Sequence, residues 1–156
     1  PKPAREGGPP IWVGGRTEAA FKRAGTLCDG YLSYVVTPDQ FRNALDAISV
    51  HYEAANRNIP EYSAAHLLFM RLGPSYEAAY EDANALLSKR YAMDFSRATK
   101  RYAALGQPAD IAAAIDAFYQ AGVRHLELEF LGSAEERNAQ IEQFGKEVKP
   151  LLSFAV

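Results

Sequence analysis

Apolar and polar residues along the chain switch repeatedly between a strand rhythm and a helix rhythm. The Pro- and Gly-rich stretch Pro1–Pro10 follows neither and reads as a connecting segment. Ile11-Trp12-Val13 is a short apolar run cut off by Gly14-Gly15, the pattern of a buried strand. From Thr17 the period is helical, and Ala20, Phe21, Ala24, Leu27 and Cys28 fall on one face. Asp29-Gly30 breaks this helix, and Tyr31–Val36 reads as a second strand. Thr37-Pro38-Asp39-Gln40 predicts a helix start, with Thr37 as cap, Pro38 at the first helical position and Gln40 completing a capping box. Phe41, Ala44, Leu45, Ile48 and Tyr52 continue as an apolar stripe until Asn56–Pro60 ends the helix.

Ala64 to Met70 predicts a third strand, and Gly73-Pro74-Ser75 opens the longest helical stretch, carrying Ala79, Tyr80, Ala83, Leu86 and Leu87. Phe95, Ala98 and Tyr102 belong to a separate helix, and Leu105–Pro108 reads as a break. Ile111, Ala114, Ile115 and Phe118 mark another helix, closed by Gly122. Val123 to Phe130 predicts a fourth strand, and a last helix runs from about Ala134 with Ile141, Phe144 and Val148 on its apolar side. Strands alternating with helices imply right-handed βαβ units and a parallel α/β sheet. Two architectures accommodate four such units: a small open sheet, or half of a (β/α)₈ barrel. The fourth strand favours the barrel. Leu126, Leu128 and Phe130 alternate with His125, Glu127 and Glu129, so one face suits a helix layer and the other carries two carboxylates. A strand in the middle of an open sheet, buried on both faces, tolerates such groups poorly, and an edge strand with one wet face is the alternative.

The sequence has 156 residues, 48% hydrophobic and 23% charged. That balance excludes a largely disordered or fibrous chain. Lys and Arg total 17 against 19 Asp and Glu, a formal net charge of −2, so bulk charge points to neither nucleic acid nor a lipid surface. The single Cys28 excludes an intramolecular disulfide and a Cys-rich zinc site, and reads as a small buried hydrophobe. No apolar run approaches the ~18 residues of a membrane span. The chain begins at Pro1 with no visible signal peptide, which makes a cytoplasmic protein with an upstream segment the expectation.

Several short motifs, in order, resemble the luciferase-like monooxygenases. Pro9-Pro10-Ile11-Trp12-Val13-Gly14-Gly15-Arg16-Thr17 followed by Ala19-Ala20 is similar to that family's mid-chain strand and helix start. Ala24-Gly25 with Asp29-Gly30-Tyr31, and Thr37-Pro38-Asp39-Gln40-Phe41, resemble the elements that follow it. Gly106–Ile111 with Ala121-Gly122-Val123, and Phe144–Pro150, resemble its later elements. The resemblance implies a TIM barrel, with residues 11–156 as its C-terminal half, strands five to eight, and residues 1–10 as the linker from an N-terminal half.

Gly14, Gly15, Arg16 and Thr17 lie where a strand ends and a helix begins, a place where free N–H groups and the helix dipole favour anions. The resemblance implies that this turn contacts the cofactor's phosphate or ring; a plain turn with Thr17 as cap is the structural alternative. Ser33 and Tyr34 end the second strand, so the resemblance places them in the substrate pocket, with His66 and Arg71 on the third strand as further candidates; packing roles are the alternative for each. Glu127 and Glu129 read as salt-bridge partners or residues of a wet interior, and His51 as a helix surface residue. No spacing suggests a metal site. No catalytic residue is assigned.

The resemblance implies part of a flavin-dependent oxidoreductase or monooxygenase in which reduced FMN activates oxygen to oxidise a small organic substrate. Two alternatives are kept: hydride transfer with a deazaflavin coenzyme, and a non-catalytic half-barrel partner subunit. A small open regulatory domain fits less well, since neither an acidic receiver cluster nor a GxGxxG turn is present. The expected partners are a small-molecule substrate and an N-terminal half-barrel or a second copy. Neither nucleic acid nor membrane is expected as a partner.

Overall fold

The computed structural model describes residues 2–4, 7–57 and 62–154. The elements follow as β1 (Trp12–Val13), α1 (Glu18–Leu27), β2 (Gly30–Tyr34), α2 (Pro38–Ala54), β3 (Ser63–Leu72), α3 (Tyr76–Tyr91), α4 (Ser96–Tyr102), β4 (Ala104–Gly106), α5 (Pro108–Gln120), β5 (His125–Phe130) and α6 (Ala134–Gln143). A wide helical turn, Phe144–Val148, and a tighter one, Lys149–Leu151, follow α6. Part of the expected end of the second helix, residues 58–60, lies outside the described residues, as do residues 1 and 5–6 of the connecting segment.

All pairings between strands are parallel. β1 pairs with β2, and β2 with the first half of β3, Ser33 facing His66 and Tyr34 facing Leu67. β5 runs along Ala65–Met70 of β3, and β4 along its last three residues, Met70–Leu72. The three-residue β4 falls where the sequence reads as a break. Its two apolar side chains, Ala104 and Leu105, are too few to register as a period.

Period-two alternation sorts β3 between two apolar clusters. Ala64, Leu68, Met70 and Leu72 pack with Phe41, Ile48, Ile111, Ile115 and Phe118, which come from α2 and α5. Phe69 and Leu67 turn the other way, toward Ala79, Ala83 and Leu87 of α3. The sheet is thus covered by α1, α2 and α5 on one face, and α3 roofs the far end of β3 on the other. On that second face Trp12 of β1 reaches His125 of β5, ring to ring at 5.0 Å and T-shaped. Contact between the first and last strands shows how strongly the sheet curls. Gly30 and Ser63 make room for the indole. A Cβ on Gly30 would stand 2.7 Å from the Trp12 ring and 2.7 Å from Ser63 Cβ.

The helix starts follow the sequence closely. Thr37 Oγ1 accepts from Gln40 N at 3.3 Å while Gln40 Oε1 accepts from Thr37 N at 2.9 Å, the reciprocal box that the residues spell. Two apolar stripes are corrected. Leu27 is 70% exposed, because α1 buries Ala20, Ala24 and Gly25. A Cβ on Gly25 would meet Ile48 O at 2.6 Å, so the two helices cross there and Leu27 falls on the far side. Ile141 is likewise exposed, and its neighbour Gln140 is buried instead. The Gln140 amide accepts from Leu72 N at 2.9 Å and donates to Leu131 O at 2.8 Å, satisfying backbone groups where β3 and β5 end.

Candidate functional site

Gly14, Gly15, Arg16 and Thr17 lie exposed between the end of β1 and the start of α1. Thr17 is the N-cap of α1 and its side chain accepts from Ala20 N. The N–H groups of Glu18 and Ala19, in the first turn, have no carbonyl behind them in the helix. Gly15 has φ +132, a conformation that L side chains rarely adopt, and a Cβ there would approach Ala20 Cβ to 2.6 Å. Two bonds fix the turn from behind. Tyr31 Oη donates to Gly15 O at 2.7 Å, and Arg16 Nη1 donates to Val35 O at 3.0 Å. Burial pushes the Tyr31 hydroxyl up to about 12, with Arg16 opposing, so the phenol stays a neutral donor at physiological pH. A cavity of about 210 Å³ opens beside the turn, lined by Arg16, Tyr31, Gln40 and Asn43 among others.

Tyr34 ends β2 and is 50% exposed. The next residue, Val35, has φ 55. A β-branched residue in the left-handed region is a strained outlier, of a kind that clusters at functional sites. The strain at Val35 carried no sequence signal.

The remaining pocket candidates do not join Tyr34. Ser33 and His66 are buried on the helix-facing side of the sheet. Ser33 Oγ and His66 Nδ1 are 2.8 Å apart. The imidazole stacks on Phe118 at 4.1 Å and meets Phe41 edge-on at 6.2 Å. Burial holds its pKa down to about 4, and the Ser33 contact only partly offsets this. Their placement follows from parity: Tyr34, one residue beyond Ser33, necessarily faces the other way.

Arg71, near the end of β3, is consumed by ion pairs. Nη2 lies 2.7 Å from both Asp82 of α3 and Glu136 of α6, and Nη1 donates to Leu131 O. The Ser133 backbone N–H, with Arg71 behind it, holds the Glu136 carboxyl down to about 2. Glu129 pairs with Arg90 of α3 at 3.1 Å. His51, read from sequence as a plain surface residue, bonds Glu18 of α1 through Nε2 at 2.5 Å. Cys28 is buried at the end of α1.

A family model described as luciferase-like monooxygenase matches residues 1–146. The chain belongs to the luciferase-like monooxygenases. Solved structures agree on the fold. A coenzyme F420-dependent tetrahydromethanopterin reductase from Methanopyrus kandleri superposes with a TM-score of 0.69 at 19% identity, over 90% of this chain and 50% of its own. A monooxygenase from Streptomyces bottropensis gives 0.74 at 20% identity, over 96% and 50%. The oxygenating constituent of 3,6-diketocamphane monooxygenase from Pseudomonas putida, in complex with FMN, gives 0.67 at 15% identity, over 95% and 50%. The chain therefore has the α/β, parallel-sheet fold of half a luciferase-like barrel and spans about half the length of these relatives. No curated protein matches it. Among the described residues, no helix is long and apolar enough to cross a membrane.

The residues of the β1–α1 turn fit an anionic cofactor end. They offer the exposed backbone N–H groups of Glu18 and Ala19 at the head of α1 and a Thr17 hydroxyl.

Proposed function

We propose that this chain is the C-terminal half of a flavin-dependent oxidoreductase barrel, strands five to eight, with residues 11–156 as the half-barrel and residues 1–10 as its linker. FMN is the favoured cofactor, and when bound in reduced form it supplies the reducing electrons for oxidising a small organic substrate with oxygen. The chain's own residues bind and orient. Gly14, Gly15 and Thr17 hold the phosphate end through backbone N–H groups and the hydroxyl. Arg16 and Tyr31 hold the turn in place through Val35 O and Gly15 O. Tyr34 forms part of the substrate wall beside the strained Val35. The roof of α3 covers Phe69 of β3 and Leu105 of β4 and closes that end of the face. Ser33 and His66 position β2 against β3 and do not touch substrate.

The observation that carries this reading is the exposed glycine turn at the head of α1, fixed from behind and facing no protein partner of its own among the described residues. The similarity to a coenzyme F420-dependent reductase favours a second reading, hydride transfer with a deazaflavin. A third reading is a non-catalytic half-barrel partner subunit, compatible with a chain that spans half the length of these relatives. The working form pairs with an N-terminal half-barrel or a second copy, in the cytoplasm. Fluorescence titration of FMN and of the deazaflavin against the assembled barrel decides among them. Binding of FMN with substrate oxidation supports the first, deazaflavin selectivity the second, and binding of neither the third.

A further inference from the structure

A second cavity lies away from the β1–α1 turn, on the helix-covered face at the foot of the sheet. It holds about 380 Å³ between α5, the start of β5 and the C-terminal turn. Ile115, Phe118 and Val123 form its buried floor, and Leu126 and Phe154 its sides. The far wall is a folded-back tail. Ser153 N donates to Asp116 of α5 at 3.1 Å, and Phe154 stacks on Tyr119 at 3.9 Å. At the rim stands one exposed cation, Arg124, 4.4 Å above the Tyr119 ring.

The Arg124 guanidinium is only half used. Among the described residues, both of its hydrogen bonds, to Tyr119 O and Val123 O at 2.8 Å, come from Nη1. Nε and Nη2 together form the planar fork that grips a carboxylate side-on. An apolar cavity of ~150 Å³ already accepts a benzene ring, so a floor of this size takes a ring with a short chain. An apolar pocket with one orienting polar group is the usual make-up of a small-ligand site.

We propose that this cavity binds an aryl or short-alkyl carboxylate, its apolar body against Ile115, Phe118 and Leu126 and its carboxylate on the Nε–Nη2 edge of Arg124. The site is separate from the cofactor turn and does not depend on the redox reading.

Calorimetric titration of the barrel assembled from this chain and an N-terminal half-barrel of the luciferase-like family, with hydrocinnamate and with hydrocinnamyl alcohol as its uncharged match, tests this. Saturable binding of the acid is expected, with the alcohol roughly tenfold weaker, the worth of one charge-assisted pair. Arg124→Gln should bring the acid down to the alcohol's affinity, and Leu126→Trp should abolish both by filling the cavity from its side. Equal binding of acid and alcohol, no saturable binding of either, or discrimination that survives Arg124→Gln overturns the proposal. So does sedimentation showing a dimer that Leu126→Trp dissociates, since a second copy would then occupy the groove. Circular dichroism checks that both variants fold; Arg124 is exposed, so its variant decides the matter even if Leu126→Trp does not fold.

Discussion

His66 makes the stability of this fold dependent on pH. The ring has no exposed surface, one polar contact at Ser33, aromatic rings of Phe118 and Phe41 against it, and no hydrogen-bond partner at Nε2 among the described residues. Placing a charge there costs solvation that nothing nearby returns. Its pKa accordingly falls from 6.5 to about 4 on folding. The folded value lies below the unfolded one, so between them the unfolded chain binds more protons. Stability is therefore full above about 6.5 and is lost as pH falls toward 4. A tenfold change in proton affinity is worth about 1.4 kcal/mol. The total loss comes to about 3 kcal/mol, of which about 2 kcal/mol is already gone at pH 5. Urea denaturation at pH 8, 6 and 5 measures it. His66→Phe keeps the stacking on Phe118 and removes the titration; it costs stability at pH 8, where Ser33 loses its partner, but flattens the slope between pH 8 and 5. The Glu136 carboxyl, held down to about 2, loses its contribution only at lower pH. Equal wild-type stability at pH 8 and pH 5, or an undiminished slope in His66→Phe, would refute the argument.

Other substitutions probe the scaffold and the turn separately. Thr37→Ala removes one side of an intact capping box and should cost about 1 kcal/mol in chemical denaturation while leaving flavin affinity unchanged. Gln140→Leu strands the buried Leu72 N–H, while Leu131 C=O keeps Arg71 as a donor, and should cost roughly 1–3 kcal/mol, read as a fall in the denaturation midpoint. Gly15→Val should abolish flavin binding and also lower the melting temperature, because the residue has positive φ and little room near Ala20; a variant as stable as wild type would show that the turn is not strained as described.

The sequence announced those features that depend on residues close together in the chain. Glycine and proline punctuation, the Thr37–Gln40 box and the apolar periods gave the order of elements, and the motif set pointed to the family that the residue 1–146 match establishes. What it could not show depends on which face meets which neighbour. Leu27 and Gly25 exchange roles because α2 crosses α1 at the glycine, a contact between distant residues. Ser33 and Tyr34 are adjacent in sequence and therefore on opposite faces, so a pocket drawn from both was bound to lose one. Gln140 replaces Ile141 in the interior because strand ends need a donor and an acceptor more than another methyl group. The partners of Arg71 come from helices on either side of β5, and no spacing along the chain foretells them.

The claim with most resting on it is that the Gly14–Thr17 turn holds a flavin phosphate in a barrel this chain completes. Its most direct test is a fluorescence titration of FMN against this chain mixed with a complementary N-terminal half-barrel of the luciferase-like family, read alongside sedimentation of the mixture. The account predicts a stoichiometric complex of the two halves that quenches FMN saturably, with quenching lost in Gly15→Val. A stable complex that leaves FMN fluorescence unchanged, or one that quenches it equally well with Gly15→Val, would contradict it.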